Sequence, residues 1–224
     1  MDPLHLLMIG AGPGVGAAVA RRFARGGYRL TLLARDTDRL RQLAADVAAD
    51  VADADPAIGT VAADAGDPDG LRDTLSSLYA SSGAPGVVVY NAALISPDSL
   101  LHSDPSHLQH AYNVDVVGAV VATQVAAGPM RAAGAGTILF TSGHPAHEPV
   151  PSLATLSLGK AALRSAATIL CADLAADGIR VASVTIGGPV AAGTPFSLDR
   201  IADRYWTIVH SAGDWHSEFH IDGA

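Results

Sequence analysis

The sequence predicts an α/β fold in which one doubly wound parallel sheet of about seven strands carries helices on both faces. Three observations predict it. Short apolar runs alternate with helix-length segments along the chain, the pattern of repeated βαβ units. A glycine-rich turn, Met8-Ile9-Gly10-Ala11-Gly12-Pro13-Gly14-Val15-Gly16, joins the first run to the first helix. The 224 residues suit a single domain spanning 1–224, and no repeat, linker or composition break marks a second.

Leu4 to Ile9 is too short and apolar for an amphipathic segment and reads as a buried strand. The glycine turn after it suits unusual backbone angles and close approach of a phosphate. Ala17 to Arg25, stopped by Gly26-Gly27, is a helix whose first N–H groups and positive dipole end face that turn. Such an arrangement binds a pyrophosphate. Arg29 to Ala34 is the second strand, and Asp36 or Thr37 caps a helix to about Asp53 with Leu40, Leu43 and Val47 on one face. Ile58 to Ala63 is the third, followed by a helix that Asp67-Pro68 opens and that runs to about Ser82. Gly86 to Tyr90 is the fourth, ending in Asn91-Ala92-Ala93. Asp104-Pro105 caps a long helix to about Ala133, which Gly134-Ala135-Gly136 terminates. Thr137 to Thr141 is the fifth strand, and Pro151-Ser152 precedes a helix to Ala176. Ile179 to Ile186, a helix over Ser197 to Ser211, and a closing strand Phe219 to Ile221 complete the series.

Hydrophobic residues make up 49% and aromatics 5%, so Ala, Val, Leu and Ile must fill the core. A formal net charge of −8 argues against a nucleic-acid surface. The single cysteine, Cys171, excludes an internal disulfide and sits in an apolar helical stretch as a small core residue. The start lacks a basic lead, and no apolar segment is expected to be both long enough and free enough of charge to span a bilayer. The expectation is a soluble cytoplasmic protein with no membrane or nucleic-acid partner. Tyr205, Trp206, Trp215 and Phe219 read as half-buried aromatics.

Several motifs in order resemble those of the short-chain dehydrogenase/reductase family, across nearly the whole chain. Gly10-Ala11-Gly12-Pro13-Gly14-Val15-Gly16 resembles its TGxxxGxG turn, with Ile9 in place of threonine. Asp64, followed by Ala65, stands where the family's aspartate receives the adenine amino group. Tyr90-Asn91-Ala92-Ala93 resembles a degraded NNAG, and Ile186-Gly187 stands for its Pro-Gly. Thr194-Pro195-Phe196 resembles the threonine segment that touches the nicotinamide amide. His220 to Ala224 resembles the final strand. The resemblance implies a Rossmann-like dinucleotide fold. It also implies a homodimer or homotetramer through the helices over Asp104–Ala133 and Pro151–Ala176. The second strand ends in Ala34-Arg35 rather than an acidic residue. An arginine there pairs a 2′-phosphate, so NADP(H) is expected over NAD(H).

The family's catalytic set is Asn, Ser, Tyr and Lys, and here the resemblance breaks. Lys160 in Leu156-Ser157-Leu158-Gly159-Lys160-Ala161-Ala162-Leu163 matches the lysine, which puts Leu156 in the tyrosine position. Gly143 falls on the serine, one past Ser142. Asp115, set by Gly118 three residues on, falls on the asparagine, with Asn113 a neighbour on the helix. Near Lys160, Asp115 is either held ionised by the opposite charge or pushed toward the neutral acid by burial. A structural Asp115–Lys160 pair is the favoured reading. His144, beside the lost serine, is the first substitute acid or base, with Ser142, Tyr90 and Ser157 behind it. His144, His147 and Glu148 match no helical zinc signature, so no metal is expected.

The expected function is an atypical NADP(H)-dependent oxidoreductase acting on a small molecule with an activated C=N, C=C or C=O group. The alternatives are a cyclase, isomerase or dehydratase using Asp115 or His144, and an NADP-binding regulatory protein without chemistry.

Overall fold

In the computed structural model, which describes residues 1–223, the run His5 to Ile9 is wholly buried and forms most of β1 (Asp2–Ile9). Ala224, the last residue of the C-terminal resemblance, lies outside the described residues. Beside β1 lie β2 (Arg29–Ala34) and β3 (Ile58–Ala62) on one side. On the other side follow β4 (Pro85–Tyr90), β5 (Gly136–Gly143), β6 (Ile179–Ile186) and β7 (Glu218–Ile221). Every pairing is parallel, in the order β3-β2-β1-β4-β5-β6-β7. A strand covered on both faces has no polar side to show, which is why β1 reads as a continuous apolar run. His5 is tolerated there because its Nε2 meets Thr31 Oγ1 at 2.8 Å. Burial, helped by the Arg29 charge, pushes its pKa down to about 4, so the imidazole is neutral.

Alternate residues of each strand serve two cores. Leu6, Met8, Leu30, Leu32 and Val89 pack under α1 (Val15–Arg25), α2 (Thr37–Asp50) and α7 (Leu198–His210). Leu7, Ile9, Val88, Ile138 and Phe140 pack under α3 (Pro68–Ser82), α5 (Gly118–Ala133) and α6 (Ala154–Leu174). The caps expected at Asp36, Asp67 and Asp104 all form, each carboxylate accepting from backbone N–H groups of the first turn. Tyr205 is fully buried rather than half-buried, its hydroxyl 2.8 Å from Thr141 Oγ1.

Three expected elements differ. The helix expected to reach Asp53 stops at Asp50, followed by a single 3-10 turn over Ala52–Ala54. The helix expected from Asp104 to Ala133 is α4 (Pro105–Tyr112) and α5, joined by one π turn over Asn113–Val117. By length and composition that joined helix, Pro105–Ala133, does reach membrane-spanning size, which corrects the sequence expectation; half of its apolar window is buried inside the protein.

The third difference is how α6 begins. Its N-cap position, Leu153, offers no side-chain acceptor. Asp98, from the loop after β4, fills that role across the chain. Its carboxylate accepts from Ala154 N at 2.6 Å, from Thr155 N at 3.2 Å and from the Thr155 hydroxyl, and its own N–H donates to Ser152 O at 3.1 Å. Burial would raise this carboxyl's pKa, but the bonds from Thr155, Ala154 and His107 outweigh it and hold it below the ordinary value. Asp98→Ala is therefore expected to cost about 2 kcal/mol, the upper end for a helix cap, measured as a lower urea midpoint at unchanged m. Because the folded carboxyl is the stronger acid, the deficit shrinks as pH falls through its folded pKa.

Candidate functional site

The strand order reverses between β1 and β4, and open sheets bind ligands at the carboxyl ends beside such a switch. There β1 runs into the glycine turn. Gly10 has φ +81°, and a Cβ on it would lie 2.3 Å from Ala92 N. No other residue fits. Gly10 N and Ala11 N both donate to Leu33 O, at 2.9 and 3.0 Å, while Asn91 Nδ2 donates to Gly10 O at 2.9 Å. These bonds lock the turn to β2 and β4. Gly12 and Gly14 face the other way: a Cβ on either would meet nothing within 4 Å. Gly14 is the N-cap of α1 and caps it with no side chain. The result is an open backbone concavity at a helix N-terminus, the shape and polarity a pyrophosphate requires. Pro13, Val15 and Gly16 complete the turn, and Gly16 is pressed against Gly10 O and Asn91.

From this concavity the surface descends in two directions. One hollow of about 360 Å³ lies between the ends of β1, β2, β3 and β4 and brings together Arg35, Asp64, Ala65, Asn91, Ala92 and Ala93. Asp64 Oδ1 accepts from Gly66 N at 2.8 Å. Arg35 also borders a neighbouring hollow with Pro13 and Arg39. Asp36 is engaged in capping α2 and lies 3.3 Å from Arg39, so Arg35 has no carboxylate partner among the described residues. Arg39 was not anticipated. Its place in the first turn of α2, four residues after Arg35, was the available signal.

In the other direction lies a cleft of about 760 Å³ that runs from Gly12, Gly14 and Asn91 to Ser142, Gly143, His144, Leu156 and Lys160. Ile95, Pro145, Leu153, Pro189 and Val190 make the far walls apolar, and no tyrosine lines it among the described residues. Lys160 is buried and its Nζ donates to Thr141 O at 2.8 Å. Burial pushes the ammonium's pKa down, and the charge of Asp115 works the other way. Asp115 is wholly buried on the π turn, behind the cleft rather than in its wall. One carboxylate oxygen accepts from Leu94 N at 2.9 Å and the other has no partner. Burial raises its pKa to about 6, outweighing Lys160, the Leu94 bond and His110. Instead of the expected structural pair, no direct ion pair joins Asp115 to Lys160 among the described residues. The π turn is anchored by Tyr90, whose hydroxyl donates to Val114 O at 2.5 Å.

Of the expected proton donors, Tyr90 is spent on that bond and buried, which drives its pKa well up. Ser157 is spent too, accepting from Val150 N and donating to Leu153 O, both at 2.9 Å. Ser142 Oγ is buried and unpartnered beside the cleft. His144 stands at the rim, its side chain 45% exposed and 3.4 Å from Glu148. His147 turns away to Glu218, at 2.7 Å. Gly187 lines the cleft, but Thr194 does not: its hydroxyl donates to Ala191 O and accepts from Phe196 N within a local turn.

The sequence profile of the short chain dehydrogenases matches residues 5–196. The chain is 28% identical over 193 residues to cis-4-hydroxycyclohexanecarboxylate dehydrogenase of Sinomonas cyclohexanicum, covering 84% of this chain and 76% of that protein. It is likewise 28% identical to sulfoacetaldehyde reductase 2 of Chromohalobacter salexigens, over 93% of this chain and 77% of that one. Among solved structures, a metagenomic short-chain oxidoreductase in complex with NADP superposes with a TM-score of 0.87 at 25% identity, covering 98% and 97% of the two chains. L-sorbose reductase from Gluconobacter frateurii, complexed with NADPH and L-sorbose, gives 0.76 at 27% identity, covering 82% and 68%. With its seven parallel strands, its glycine turn and this match over most of its length, the chain belongs to the short-chain dehydrogenase/reductase family.

Proposed function

We propose that this protein is an NADP(H)-dependent oxidoreductase of small, largely apolar molecules that works without the tyrosine and serine its relatives use. The observation that carries this reading is the continuity of the main cleft, from the open Gly12–Gly14 backbone to Lys160 and Leu156. The two related structures with bound NADP or NADPH support the choice of cofactor. Gly12, Gly14 and the first N–H groups of α1 would hold the pyrophosphate, and Asp64, Ala65 and Asn91 to Ala93 the adenosine. Arg35, with no carboxylate partner among the described residues and joined by Arg39, would clamp the 2′-phosphate. Bound NADPH supplies a hydride.

The rest of the chemistry falls to the chain. Lys160, steadied by the Thr141 carbonyl, would hydrogen-bond the ribose next to the nicotinamide. Asp115 is its buried counter-charge, which favours the ammonium form. Leu156 cannot give a proton. Among the described residues, His144 and Lys160 are the cleft-lining side chains of an ionisable type, so His144 is assigned as the proton donor and Ser142 as the group that orients a polarised C=O, C=N or C=C bond. An acceptor already activated needs little more. Absorbance of reduced nicotinamide, followed across a panel of enones, imines and aldehydes, is expected to fall with at least one. Turnover without that loss would instead favour an acid/base enzyme built on Asp115, and binding without turnover a regulatory protein.

Four variants test the assignments. Replacing Arg35 with Ala should weaken NADPH about 10- to 100-fold, the worth of a charge-assisted phosphate contact, and leave NADH nearly unchanged; equal losses would overturn the NADP assignment. A side chain at Gly143 would meet only Ile186 O and Pro145 Cδ, each at 3.6 Å, so a serine fits there. The double variant Gly143→Ser, Leu156→Tyr should accordingly reduce plain ketones that the native enzyme leaves untouched. His144→Ala should lower turnover at least about tenfold at unchanged NADPH affinity, whereas Asp115→Asn, which removes the counter-charge of Lys160, should lower turnover and weaken NADPH together. Since the Asp115 pKa rises on folding from 3.8 to about 6, its ionisation destabilises the fold as pH climbs through that window. Asp115→Asn should therefore flatten the pH dependence of stability between 3.8 and about 6; thermal melts across pH read it directly.

A further inference from the structure

We propose that His147, Glu218 and His220 form a binding site for a divalent transition-metal ion at the outer edge of the sheet. The three come from separate parts of the chain. His147 follows the single turn His144–Ala146 after β5, while Glu218 and His220 occupy alternate positions of β7 and so share one face. One ligand atom of each lies within 4.8 Å of the other two. His147 Nε2 is 2.7 Å and His220 Nε2 3.5 Å from the same oxygen, Glu218 Oε1. Donor atoms around a tetrahedral ion with bonds of 2.0–2.1 Å stand about 3.4 Å apart. Small side-chain movements therefore convert the cluster into a coordination set.

The chemistry of the donors agrees. Two imidazoles and one carboxylate are a zinc ligand set that leaves a fourth position for water, and the half-exposed histidines face solvent. The carboxylate is held from behind, as ligating carboxylates are: Thr185 Oγ1 donates to Oε1 at 2.8 Å and Arg164 Nε to Oε2 at 2.7 Å. Oε1 now accepts from Thr185 and His147. An ion takes the place of the His147 proton, so the oxygen's two lone pairs remain matched. The Arg164 charge opposes a cation, but it sits on the far oxygen. Imidazole and carboxylate ligands favour zinc, cobalt or nickel over magnesium or calcium. Occupancy would tie the segment that carries His144 and Pro145, part of the cleft wall, to the edge strand.

Untagged protein stripped with chelator is titrated with Co²⁺ at neutral pH while its visible d–d absorption is followed, and Zn²⁺ is then added as competitor. The expected result is saturation at one equivalent per chain, displacement by Zn²⁺, and affinity reduced at least about tenfold in both His147→Ala and His220→Ala. His220→Ala leaves Glu218 its contacts to Arg164, Thr185 and His147, so this variant should keep the melting temperature of the metal-free protein. Absence of saturable binding by the native chain, or titration of His220→Ala like the native protein, overturns the site.

Discussion

Lys160 is buried with its ammonium donating to one neutral oxygen, the Thr141 carbonyl. Taking a cation out of water costs several kcal/mol unless charge and hydrogen bonds offset it. Much of the surrounding structure supplies that offset. Asp115 provides the opposite charge from behind α6, and the π turn carries it there. Tyr90 fixes that turn through Val114 O, and Gly118 lets it approach, since a Cβ there would sit 2.3 Å from the Tyr90 hydroxyl. Gly159 makes the matching gap in α6, where a Cβ would lie 2.7 Å from Asp115 Cβ. Removing any one of these residues disturbs the environment of the ammonium.

The fold was legible because its signals are local. A parallel strand covered on both faces is written as an unbroken apolar run, and Asp36, Asp67 and Asp104 sit within three residues of the N–H groups they cap. The glycine turn was legible for the same reason: Gly10 answers to a steric demand at its own position. The place of Arg35 at the end of β2 was legible too, and it borders the hollow beside Asp64, whereas Arg39 was not anticipated.

What stayed hidden depends on partners far apart in sequence. The cap of α6 comes from Asp98, 56 residues before Ala154. The π turn needs a hydroxyl 24 residues away, and no helix propensity encodes it. The balance of burial against charge at Asp115 is a property of the packed state, so sequence left both outcomes open, and packing raised its pKa to about 6, which still leaves a carboxylate at neutral pH. Thr194 shows the opposite case, a motif residue whose hydroxyl is taken up by Ala191 and Phe196 in the local turn of this short segment. His147 followed Glu218 rather than its neighbours His144 and Glu148, because β7 brings a carboxylate that no loop pattern announces.

The seam at Asp98 has a mechanical corollary. The stretch after β4 forms one side of the cleft and is stitched at two points, Leu94 to Asp115 and Asp98 to the start of α6. That rim is thus bonded both to the π turn and to the helix bearing Leu156 and Lys160. Among the described residues the far wall has no such seam to α6: it is the exposed Val190 to Gly193 stretch beyond β6, so the two walls of the cleft are anchored unequally.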